Sequence, residues 1–139
     1  MQALATTNLS ASAIAGLVVA TQAQMEAASS VKEVVTPGRQ QYHPGAAKAW
    51  ASWNGAATSV TAGSSYNVTQ IVRAAAGIYT ITYTTPFSGN QYAVVSNASV
   101  GYISNFRSAS AASVTILSFD NAGSTGDSTY ICFEAFGDQ

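Results

Sequence analysis

The chain has 139 residues, of which 8% are charged, with five basic side chains against six acidic ones. That length suits one domain plus a small appendage, and such a domain buries about two thirds of the surface its unfolded chain exposes. Too few basic residues are available to neutralise a phosphate backbone, which excludes nucleic acid as a partner.

At the start of the chain, "MQALATTNLSASAIAGLVVATQ" contains no Lys or Arg. A secretory signal needs a basic region ahead of its apolar run, so none is expected. The run Ala13 to Ala20 is too short to span a bilayer, so membrane insertion is not expected either. Within it, "GLVVAT" is β-branched and apolar and reads as a strand. In the following "TQAQMEAASS", Thr21 serves as N-cap and Gln24 completes a capping box, which predicts a short helix near 22–30. One continuous helix from Ser10 to Val35 is the competing reading, weakened by the β-branched residues and Gly16. "VKEVVTPG" then ends in the Pro37-Gly38 pair, which stops a regular element.

The next stretch, "TPGRQQYHPGAAKAWASWNG", gathers Arg39, His43, Lys48, Trp50 and Trp53 in a chain otherwise poor in such residues. Pro37 and Pro44 fix φ, and Gly38 and Gly45 permit bends, so Thr36 to Gly45 reads as a stiff connector whose charges are solvated or make inter-subunit contacts. The domain plan is therefore an N-terminal segment with a short helix at 1–37, a linker at 38–47 and a β-sandwich at 48–139.

From Lys48 onward the pattern alternates, and turn residues recur at the spacing of a sandwich or barrel. The predicted strands are "KAWASWN", "SSYNVTQIVR", "IYTITYT", "QYAVVSNAS", "GYISNFRS", "SVTILSF" and "STYICFEAF". Turns are expected at Asn54-Gly55, Ala76-Gly77, Pro86 to Asn90 and "DNAGSTGD". In "KAWASW", Ala49, Ala51 and Trp53 share one face and Lys48, Trp50 and Ser52 the other. Trp53 is assigned to the core, and Trp50 to a face that another subunit could cover. In "IYTITYT", Tyr79, Ile81 and Tyr83 face one way and Thr80 and Thr82 the other.

Signals for catalysis are weak. A Ser-His-acid triad would have to use His43, which sits beside Pro44 in the linker. Glycoside cleavage needs a positioned carboxylate pair, and after Lys48 the acids are Asp120, Asp127, Glu134 and Asp138. Asp120 and Asp127 bracket a Gly/Ser/Thr loop that could offer oxygen ligands to calcium. Their spacing matches no known cation loop, so solvated loop acids are the preferred reading. Neither a Cys/His metal cluster nor a phosphate-cradling glycine loop occurs, and no enzyme activity, metal or cofactor is expected. The single Cys132 reads as a buried free thiol. Asn-x-Ser/Thr sequons at Asn8, Asn67 and Asn97 are what a Ser/Thr-rich chain produces by chance.

The string "HPGAAKAWASWNG", followed by "SYNVTQIV", "GIYTITYTTPF" and "NQYAVVSNA", resembles a β-domain of tailed-bacteriophage tail-fibre and other virion proteins. Upstream, "AGLVVATQAQMEAASSVKEVVTPGR" is similar to a second phage-fibre motif, an Ala-Thr-Gln helix followed by Val-Thr-Pro. Together the two cover roughly residues 14 to 100, in the order found in fibre proteins. The resemblance implies a homotrimeric virion structural protein. Its partners would be other virion proteins and, for a tail-fibre or receptor-binding component, a bacterial surface glycan or protein. The alternative is a structural part that binds no host, such as a capsid decoration, head fibre or tail connector. A trimer also suits a chain with few charges and many Ala, Val and Thr residues on both strand faces.

The expected fold is thus mainly β: an antiparallel β-sandwich preceded by a short strand-helix segment and assembled as a trimer. Candidate receptor-binding residues are Tyr102, Asn105, Phe106, Arg107, Asp120, Asn121 and Asp127. Among the aromatics, Tyr66, Tyr79, Tyr83, Tyr92 and Tyr130 are expected in the core, while Tyr102 and Phe106 are placed near the tips, where they could stack on sugars. Candidate trimer contacts are Leu17, Val19, Met25 and Trp50.

Overall fold

A computed structural model describes residues 18–29, 33–57 and 59–139. The chain divides into two compact units, Met1–His43 and Pro44–Gln139.

In the first unit the capping box forms as its residues dictate. The Gln24 N–H donates to Thr21 Oγ1 at 3.2 Å, and the Thr21 N–H donates to Gln24 Oε1 at 2.8 Å. Helix α1 spans Gln22–Ala27 and ends at Ala28, whose φ of 47° closes it in the left-handed conformation. Among the described residues around α1, pairing is an isolated parallel bridge between Val19 and Val34. Neither the full strand expected from "GLVVAT" nor a continuous helix is present at Val18 to Ala20. Met25 is the buried residue of α1. The stiff connector is also corrected: Pro37–Gln40 is a single helical turn, α2, with the proline at its start. A proline at that position is already shaped for a helix and lacks only an N–H that would go unused. Arg39 lies over the Tyr42 ring at 5.9 Å.

The second unit is built from β1 (Ala49–Trp53), β2 (Ala62–Tyr66), β3 (Val68–Ala75), β4 (Ile78–Tyr83), β5 (Ala93–Ala98), β6 (Tyr102–Ser110), β7 (Ser113–Asp120) and β8 (Ile131–Phe136). They form two four-stranded sheets, ordered β2-β1-β8-β5 and β3-β4-β7-β6. Every neighbouring pair is antiparallel.

Period-two alternation directs the core residues inward. Ala49, Ala51 and Trp53 of β1 and Ile131, Phe133 and Ala135 of β8 meet Tyr79, Ile81 and Tyr83 of β4 and Val114 and Ile116 of β7 in one buried cluster. The Trp53 ring packs edge-on against Tyr79 at 5.6 Å and Phe133 at 6.2 Å. Toward the other end of the core, Phe87 stacks on Tyr92 at 4.1 Å and packs edge-on against Tyr83 at 5.0 Å.

The predicted strand "SSYNVTQIVR" is in fact two. Asn67, at φ 55°, breaks the run and passes the chain from the sheet of β1 to the sheet of β4. Asn tolerates this left-handed conformation better than other residues with a side chain. Here the amide also ties the corner together. Nδ2 donates to the carbonyls of Lys48 and Thr85, both at 3.0 Å, and Oδ1 accepts from the Thr85 N–H at 2.7 Å. Asn67→Ala is therefore expected to destabilise the unit by about 2 kcal/mol, through lost hydrogen bonds and backbone strain. Asn67→Gly should cost less, because it keeps the conformation and loses only the bonds. Urea unfolding of both variants checks this; equal losses would show that backbone conformation contributes nothing.

Lys48, expected on the wet face of β1, is instead buried. It precedes the strand where the chain crosses the corner: its N–H donates to Ala135 O at 2.8 Å and its carbonyl accepts from Asn67.

Candidate functional site

The loop from Asp120 to Asp127 is expected from the sequence to hold solvated acids. Both aspartates are instead committed to local structure. Asp120 Oδ1 accepts from the N–H groups of Ala122 and Ser124, each at 2.9 Å, which folds the loop tip back on itself. Asp127 reaches the β3–β4 hairpin. Its Oδ1 accepts from Arg73 Nε at 2.9 Å, Gly77 N at 2.9 Å and Tyr79 Oη at 2.6 Å, while Oδ2 takes the second arm of the Arg73 fork.

These contacts shift the groups electrostatically. The Arg73 fork is the main influence holding the Asp127 carboxyl well below the usual carboxylate range, aided by Tyr79 and the Gly77 N–H and opposed by partial burial. Burial is the main cause, and the bond to Asp127 the next, of the upward shift of the Tyr79 hydroxyl. A carboxylate whose folded pKa lies below its ordinary value of 3.8 contributes stability that is complete above that pH and is lost as pH falls through and below it. Asp127→Asn should thus lower stability at neutral pH and flatten the decline below about pH 4. Thermal melts across pH 2–7 check this; an unchanged acid limb would show that the network does not couple to folding.

The geometry that admits Asp127 depends on three glycines. A Cβ on Gly55 would collide with the Tyr79 hydroxyl, one on Gly77 with the backbone of Ser118 and Gly126, and one on Gly126 would press on the Tyr102 ring. Tyr102 is accordingly packed beneath the loop and only partly exposed. Phe106 is not at a tip: it lies in mid-strand opposite Ile116, half exposed at the sheet edge. The β6–β7 register shifts between Phe106 and Ser108, leaving Arg107 at the irregularity and exposed. Asn105 is exposed on the outer side of β6, opposite Leu117, and Asn121 is exposed in the loop. The candidate receptor residues are thus divided among a structural network, a loop tip and two sides of β6.

Of the candidate subunit contacts, Leu17 lies outside the described residues. Val19 is exposed, whereas Met25 is buried. Trp50 faces outward from the sheet, 39% exposed, with Tyr66 of β2 on one side and Glu134 of β8 on the other; Val95 of β5 follows Glu134. Sequence reasoning placed Tyr66 in the core; the break at Asn67 separates it from the alternation of β3. Cys132 is likewise not a core thiol. It is half-buried on the outer side of β8, opposite Ser52 and Asn97, because its neighbours Ile131 and Phe133 point inward.

In the first unit, Ala20, Gln24, Met25, Ala28, Glu33, Val35 and His43 line a hollow of about 170 Å³. Glu33 Oε1 accepts from Gln24 Nε2 at 3.3 Å, and Oε2 is buried without a partner. Among the described residues no three His, Cys, Asp or Glu side chains converge to hold a metal ion, and no helix is long and apolar enough to cross a membrane.

Comparison with known proteins finds no matching family model, no similar curated protein and no similar solved structure.

Proposed function

We propose that the chain is a bacteriophage virion protein, a tail-fibre or receptor-binding component that attaches passively to the bacterial surface as a homotrimer. The observation that carries this reading is the ordered pair of fibre-like motifs, 15–39 and 43–98. The domain that contains the second is a sandwich with large aromatic side chains turned outward on one sheet. Commitment of Asp120 and Asp127 to the loop and hairpin supports binding over glycan cleavage, which would need free, opposed carboxylates. Trimeric display would multiply a weak contact by avidity, without any new contact per site. Exposed Val95, Val100 and Ile103 favour a second reading, a structural part that contacts other virion proteins without touching the host.

Adsorption of the purified chain to bacterial cells separates the two readings, with binding expected for the first and none for the second. Light scattering should give a mass three times that of one chain, and a single-chain mass would remove the trimer. Release of reducing sugar from cell envelopes would remove the non-enzymatic reading.

A further inference from the structure

We propose that the outer face of the β2-β1-β8-β5 sheet is a stacking surface for a neutral, pyranose-containing polysaccharide, with Trp50 and Tyr66 as the platform and Glu134 as its hydrogen-bonding edge. The inference rests on the attachment reading, to which it adds a site and a ligand class.

Three observations lead to it. Trp50 and Tyr66 are directly paired across β1 and β2, and they stay 39% and 45% exposed. Directly paired side chains on one sheet face stand about 5 Å apart at Cβ, so two aromatic surfaces lie side by side on an open strand face. Large aromatics left half in water forgo burial that would otherwise stabilise the fold, which marks them as contact surface.

Next, Glu134 sits on the other side of Trp50, and the adjacent row across the sheet is Ser64, Ser52, Cys132 and Asn97. The Ser64 and Ser52 hydroxyls can both donate and accept, the Asn97 amide nitrogen donates while its Oδ1 already accepts from the Ala98 N–H, and Glu134 accepts. Hydroxyl groups, which do both, suit such a fringe, and a pyranose offers them around its rim while presenting a C–H face to an aromatic ring.

The charge of the sheet then chooses between occupants. None of the four strands contains Lys or Arg, and Glu134 is their sole charged side chain. An anionic polymer would meet an uncompensated carboxylate. Packing this face on its counterpart in a second copy would bring two carboxylates together with no cation between them, which disfavours self-association there. A neutral polyol meets neither penalty. An open, flat strand face also suits a polymer lying along it better than a small molecule, which needs enclosure.

The test uses the full chain in native gels cast with dextran, galactomannan or, as the anionic control, alginate. Retardation is expected in at least one neutral gel and not in alginate. Trp50→Ala and Tyr66→Ala should each weaken it about tenfold or more, as loss of a stacking surface does. Glu134→Gln should weaken it less, and Val72→Ala, on β3 of the other sheet, should leave it unchanged. Thermal melts confirm that each variant is folded; if Trp50→Ala is not, Tyr66→Ala and Glu134→Gln decide. The proposal is overturned if neither neutral gel retards the chain, if the aromatic variants are retarded like the parent, or if Trp50→Ala lowers the sedimenting mass, which would place a second copy on this face. Cell adsorption measured in parallel separates the two levels. Equal adsorption of the parent and Trp50→Ala removes this site and keeps attachment, whereas no adsorption by the parent removes attachment itself.

Discussion

Replacing Trp53 by alanine is expected to lower the stability of the sandwich by about 3–5 kcal/mol, the range for truncating a large buried aromatic. Trp53 is 2% exposed and is packed edge-on against Tyr79 and Phe133, one from each sheet. Removing the indole empties the place where the layers meet, and little around it can move in, because Tyr79 is held at its hydroxyl by Asp127. Trp53→Phe should cost much less than alanine. The indole Nε1 is buried without an acceptor, so phenylalanine loses volume but also removes an orphaned donor. Urea unfolding of the two variants measures the difference; a phenylalanine variant as unstable as the alanine one would mean that the donor is satisfied in solution.

Gly77→Ala is the second large effect. Gly77 turns the β3–β4 hairpin at φ 68°, and an added Cβ would lie 2.5 Å from both the Gly126 nitrogen and the Ser118 carbonyl oxygen. The left-handed conformation alone costs an alanine about 1–2 kcal/mol. The two clashes are with backbone, which cannot swing aside as a side chain would, and overpacking of that kind adds about 1–3 kcal/mol. Relief requires the hairpin to move off the loop, which would break the bond from Ser118 N to Gly77 O at 2.7 Å and pull the Gly77 N–H from Asp127. A loss on the order of 3 kcal/mol or more is expected. Hydrogen exchange should show the Gly126 and Ser118 amides opening well ahead of the core strands. Global unfolding with no early opening at these amides would contradict the local account.

The sequence made some features readable because their cause is local. The capping box lies within four consecutive residues, so α1 could be placed from Thr21 and Gln24 alone. The faces of β1 and β4 follow from strict alternation, and Ala49, Ala51, Trp53, Tyr79, Ile81 and Tyr83 are all buried as that period requires. Asn67 was illegible because one left-handed residue leaves the surrounding alternation intact while changing the sheet to which the chain belongs. Misplacing Tyr66 followed from that. The Asp127 network joins residues about fifty positions apart, and no local pattern reports such a pairing. One signal was available: the sandwich holds three cations, Lys48, Arg73 and Arg107, so an acid there seeking a basic partner has few choices. α2 was misread because a proline that starts a helix and a proline that stiffens a linker look alike without their neighbours in space.

The strand order has a consequence for how the fold is reached. In the β3-β4-β7-β6 sheet, two of the three pairings are hairpins between consecutive strands, so most of that sheet can form early from local contacts. The other sheet closes only when β8 enters between β1 and β5, where Ala49 meets Ala135 across most of the domain's length. Until then both neighbours of β8 present unpaired backbone, and the Trp53 side of the core lacks one wall. The slow, long-range closure that governs folding speed in β proteins is concentrated in this step. During the wait β1 and β5 are open templates for strands of other chains. Where nascent copies are concentrated, timely insertion of residues 131–136 is therefore the event that separates productive folding from aggregation.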